Sequence, residues 1–145
     1  MRLILFRLIG ILEIAGGFYG MANWLPRLLA FGPLRTAAIG LVAFALYAFV
    51  LIAGVLLLEN SERGVRLSSV AQLLQLPLIA TPILSYALHC GACIDLFAAL
   101  HIPTRPELSW AFGSQRFVLE FSGPATSRLG VNVLALLSWM VLKLR

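Results

Sequence analysis

Two short constellations in this 145-residue sequence carry residue types that do chemistry. The first is His89-Cys90-Gly91-Ala92-Cys93, which holds both cysteines of the chain. A Cys-x-x-Cys pair can cycle between dithiol and disulfide, most readily where a helix N-terminus lowers the first thiol's pKa. The same stretch could ligate a metal, because on a helix Tyr86, His89 and Cys93 share one face and Cys90 adjoins them. Asp95 would then lie about 200° around that helix from Cys93 and could not complete the set. Buried cysteine acting as a small hydrophobe is the commoner fate of such residues, and no metal is predicted.

The second constellation surrounds Glu13, an ionisable residue inside an apolar run and therefore costly unless it is used. Gly10, Glu13, Gly17 and Gly20 fall at i, i+3, i+7 and i+10, one stripe of a helix, with Gly16 beside it. Glycines let a second helix approach closely, so Glu13 is expected to face a protein interior. Gln72, Gln75, Tyr86, His89 and Asn132 are the polar residues able to meet it there. A structural clasp between helices is the commoner outcome; a proton, ion or ligand site is the sharper one.

The elements that must position these residues are apolar to an unusual degree. The chain is 61% hydrophobic and 12% charged, whereas soluble domains are about 25% charged, so a lipid bilayer is the expected partner. Residues 3–21, 36–58, 78–100 and 129–142 are predicted as four transmembrane helices of a single domain covering 1–145. The fold class expected is thus an all-α membrane protein, a bundle of about four helices. Pro77 and Pro82 predict a kink in the third, preceded by a polar stripe of Ser68, Gln72 and Gln75. Between the third and fourth spans, Leu108, Trp110 and Phe112 precede Gly113-Ser114, and Phe117, Leu119 and Phe121 follow, which predicts a small β-hairpin. A cleaved signal peptide ending near Gly20-Met21-Ala22 is the rival to the first span, opposed by Arg7 and Glu13 within it.

The net charge of +5 comes from basic residues scattered singly at segment ends, the pattern of interface anchors, and argues against nucleic-acid binding. Their distribution favours cytoplasmic termini in a bacterial inner membrane. Phosphate loops, nucleophile elbows and paired helical histidines around a glutamate are missing from the sequence. The leading expectation is a non-enzymatic multi-pass membrane protein without a cofactor, packing against itself or a membrane partner, or binding a small apolar ligand. A proton-linked carrier using Glu13 is one alternative. The other uses Cys90 and Cys93. In helix count and this cysteine pair alone, the chain is similar to four-helix membrane thiol oxidoreductases that pass electrons to quinone, although their second cysteine pair is lacking here.

Overall fold

The structure, a computed structural model, describes residues 2–30, 32–100, 107–113, 116–121 and 127–144. Helices α1 (Arg2–Leu29), α2 (Leu34–Leu58) and α3 (Glu62–Gln75) come first. Six strands follow: β1 (Pro77–Ala80), β2 (Ser85–His89), β3 (Cys93–Leu100), β4 (Glu107–Gly113), β5 (Arg116–Glu120) and β6 (Ser127–Asn132). Helix α4 (Val133–Lys143) closes the described chain. The expected four-helix, all-α bundle is therefore wrong, because an antiparallel sheet replaces the third span and the start of the fourth.

Helices α1 and α2 pack as an antiparallel pair through their small residues. A Cβ on Gly17 would lie 2.8 Å from the Tyr47 carbonyl oxygen, and one on Gly10 3.1 Å from that of Gly54. At Gly17 a side chain would force the helices apart, and at Gly10 the neighbour would have to give by a few tenths of an ångström. Both helices are long and apolar enough to cross a membrane, and α1 runs past its predicted end at residue 21, through Pro26, to Leu29. Helix α3 starts where Ser61 caps it, its Oγ accepting from the Gly64 amide at 2.9 Å, with Glu62 in the first turn complementing the dipole.

The third predicted span fails at its prolines. Pro77 opens β1, where its missing donor is tolerated, and Pro82 sits in a turn closed by Thr81, whose Oγ1 accepts from the Leu84 amide at 3.0 Å. Gly91, at a φ of +78°, then turns β2 into β3, a backbone region favoured by glycine. The fourth predicted span is divided between β6 and α4; at 11 residues α4 reaches about 16 Å, too short to cross a bilayer. Strands do form on both sides of Gly113, but among the described residues they are not paired as the predicted hairpin: β4 pairs with β3 and β5 with β2. Ser114 of that turn lies outside the described residues.

The sheet order is β4-β3-β6-β1-β2-β5, all neighbours antiparallel. Laid flat, its outer strands would be about 24 Å apart at about 4.8 Å per pairing. Yet three peptide steps join Gly113 of β4 to Arg116 of β5, which limits their Cα separation to about 11 Å. The sheet is consequently rolled. Alternation across the register puts Leu78, Ala80, Ser85, Ala87, His89, Asp95, Phe97 and Val118 on one face, and these residues line a partly open cavity. On the opposite face Leu88, Tyr86 and Phe117 pack against Tyr47, Val50, Ala53 and Ala71 of α2 and α3.

Candidate binding cavity and its His-Cys-Asp cluster

The rolled sheet lines a partly open cavity of about 470 Å³, within the range of small-molecule sites. Its walls are largely apolar, from Leu78, Ala80, Ala87, Phe97 and Val118, with Arg116, Glu120 and Arg128 among its charged lining residues. Ser85 and His89, which also line it, each bury a polar atom without a partner among the described residues: Ser85 Oγ and His89 Nδ1. Such groups cost about 1–3 kcal/mol each when unsatisfied, so their presence beside a cavity marks where a ligand or water would bond.

His89 Nε2 lies 3.0 Å from Asp95 Oδ2 and 3.1 Å from Oδ1, both residues being buried. Burial pushes the imidazole below the ordinary histidine range, against the pull of Asp95 and assisted by Arg116. The ring is thus neutral near pH 7, with Nε2–H donating to the carboxylate. Cys93 belongs to the same group: one ligand atom from each of His89, Cys93 and Asp95 lies within 4.8 Å of the others. Asp95 was expected on the far side of a helix from Cys93. On a strand, residues two apart share a face, which is why the structure unites them.

Cys90 and Cys93 are both buried and free, but neither begins a helix. Cys90 sits in the β2–β3 turn, its amide donating to Gln75 Oε1 at 3.0 Å. Burial pushes its thiol up, with Glu13 adding to the effect, and pushes Cys93 up to about 11. Protonated thiols are poor nucleophiles. With a chelator present, a maleimide near neutral pH is expected to label neither cysteine in the native protein and both after unfolding. Rapid native labelling of either, measured by intact mass, would contradict this placement.

Glu13 is 1% exposed and joins α1 to α3, accepting from Ser68 Oγ at Oε2 (2.7 Å) and from Gln72 Nε2 at Oε1 (2.8 Å). Ser68 Oγ also lies 3.3 Å from the Ala53 carbonyl oxygen of α2. Gln75 continues the line toward Cys90, its Nε2 donating to the Ala71 carbonyl at 3.2 Å. The void beside Glu13 is only about 10 Å³, room for at most about one water.

The remaining sequence candidates make hydrogen bonds of their own, although Asn132 also lines the small void beside Glu13 and Tyr86 the larger cavity. Tyr86 donates from its hydroxyl to the Leu74 carbonyl at 2.8 Å, and Asn132 caps α4, its Oδ1 accepting from the Ala135 amide at 3.2 Å. Gly20 meets the Tyr47 ring, and Gly16 meets the backbone of Cys90 and Gly91. Sequence reasoning missed Ser85 and Arg116 as cavity residues and set Asp95 aside; the alternation Ser85, Ala87, His89 was the available signal. No protein-family model, curated protein or solved structure compared with the chain matches it, so the chemistry of this site rests on its own residues.

Proposed function

We propose that the chain is a membrane-anchored binding protein whose rolled sheet takes up a small amphipathic molecule. The membrane part of this reading rests on α1 and α2. A soluble core helix is mostly buried, whereas only 39% and 33% of their most apolar stretches are buried here. Leu8, Ile11, Phe18 and Leu25 of α1 and Leu41, Ile52 and Val55 of α2 are exposed instead. Water is a poor solvent for that surface and lipid a good one. Nor does α1 behave as a disposable leader, because Glu13 within it supplies both acceptors of the buried clasp to α3.

The binding part rests on one observation: a cavity of about 470 Å³ that is mostly apolar yet is lined by two residues whose buried polar atoms have no partner among the described residues. Apolar walls suit a hydrocarbon body, and Ser85, His89 and Arg116 suit a polar or acidic head. Thiol redox chemistry has less support, since both thiols are buried and protonated. A proton-carrying role for Glu13 likewise has less support, since the void beside it among the described residues is only about 10 Å³.

Ala87→Trp tests the binding reading by filling the cavity from β2. Native mass spectrometry of the wild type released from nanodiscs is expected to show a bound small molecule that the Trp variant lacks. A wild type carrying no adduct under any gentle activation, or a folded Trp variant that retains it, would sink the proposal.

A further inference from the structure

We propose that His89, Cys93 and Asp95 form a three-ligand site for Zn²⁺, with its fourth position open to the cavity. The inference goes beyond the binding reading and does not depend on it, since all three ligands come from the protein. Their chemistry selects the metal class: imidazole and thiolate with a single carboxylate suit a borderline-soft divalent ion, and hard ions such as Mg²⁺ and Ca²⁺ require mostly oxygen.

Charge supports the same choice. Cys93, as thiolate, and Asp95, as carboxylate, together neutralise a dication, so a buried site of this composition is neutral overall. On binding, the metal displaces the proton that Nε2 shares with Asp95 and the thiol proton of Cys93. The first moves to Nδ1, which is buried and has no partner among the described residues, and the second leaves to water.

The geometry is close to what a tetrahedral ion needs. Bond lengths of about 2.0–2.3 Å place ligand atoms about 3.3–3.8 Å apart. The His89–Asp95 separation of 3.0 Å must open by a few tenths of an ångström, and the widest pair in the cluster, within 4.8 Å, must close by about 1 Å, a shift that side-chain rotation can supply. Two ligands lie at i and i+2 of β3, and the third ends β2 just before the short turn at Gly91. Gly113, opposite Cys93 in β4, leaves room for the sulphur; a Cβ there would lie 3.3 Å from it. His89 and Asp95 both line the cavity, which leaves three protein ligands among the described residues and a position open to water or a bound head group.

The test uses the full chain in nanodiscs, titrated with Co²⁺ as a spectroscopic substitute and then with Zn²⁺. One equivalent of Co²⁺ is expected to give visible d–d bands and a thiolate-to-metal charge-transfer band. Cys90→Ser should keep that band. Cys93→Ser should lose it, and His89→Gln and Asp95→Asn should each weaken Zn²⁺ binding by at least about tenfold. Should those variants misfold, X-ray absorption of the zinc-loaded wild type decides: one sulphur at about 2.3 Å and the other ligands nitrogen or oxygen at about 2.0–2.1 Å. Absence of stoichiometric metal uptake, a shell with no sulphur or two, or loss of the charge-transfer band in Cys90→Ser would each overturn the site.

Discussion

Glu13→Ala is expected to destabilise the protein by about 2–4 kcal/mol, whereas Glu13→Gln should stay within about 1 kcal/mol of the wild type. The difference follows from who donates to whom. Ser68 Oγ and Gln72 Nε2 each direct a hydrogen at a separate oxygen of Glu13, and all three residues are buried. Alanine removes both acceptors and strands both donors. Glutamine keeps an acceptor for Gln72, and its amide can donate to Ser68 Oγ while that hydroxyl turns to the Ala53 carbonyl oxygen, 3.3 Å away. Denaturant unfolding in a fixed detergent, read as a midpoint at constant slope, measures both variants. Equal loss in the two would mean that the carboxylate itself is required, and the clasp would then be more than a scaffold.

That clasp was legible in part, because helices α1 and α3 write their packing in a regular period: of the partners expected for Glu13 only Gln72 bonds it, and Ser68 was not among them. Glycines and Glu13 recur at helical spacing in α1, and Ser68, Gln72 and Gln75 do so in α3, so the polar face could be read before its partner was known. The region from Pro77 to Leu100 carries no comparable period. Its residues are apolar on both sides, since one face of β2 meets the helices through Leu88 while the other presents Ala87 and His89 to the cavity. A continuous apolar run of that kind reads equally well as helix or strand. The prolines were visible, but as kinks they would interrupt a helix, and here they open a strand and occupy a turn.

The error propagated into the site. Helical geometry separates Cys93 from Asp95, and strand geometry puts them on one face, so one wrong period removed a ligand. The strands flanking Gly113 were visible from alternation alone. Their partners were not, because β4 reaches back to β3 and β5 to β2, pairings fixed by the rolled sheet and not by the turn between them. Among the described residues, local patterns therefore revealed part of the helix clasp, while the cavity required long-range register.

Gly16→Ala is expected to cost about 2–4 kcal/mol and to disturb the candidate site from a helix that contributes none of its ligands. A Cβ at residue 16 would fall 2.3 Å from the Gly91 nitrogen and 2.6 Å from the Cys90 carbonyl carbon. Those neighbours are backbone, so no rotamer change relieves the clash; the turn must retreat by about 1 Å to reach ordinary van der Waals contact. It cannot retreat freely. The Cys90 amide is held by Gln75, and the Tyr47 hydroxyl donates to the His89 carbonyl oxygen at 3.3 Å. Moving the turn therefore drags the end of β2 with His89 and the start of β3 with Cys93, opening the His89–Asp95 contact. Gly32→Ala is the matched control, because a Cβ there meets nothing within 4 Å. The measurements are the unfolding midpoint and the rate of Cys90 alkylation. Both should change in Gly16→Ala and neither in Gly32→Ala. If Gly16→Ala keeps the wild-type midpoint and its slow alkylation, the turn does not rest on α1, and the coupling between the helix pair and the cavity fails with it.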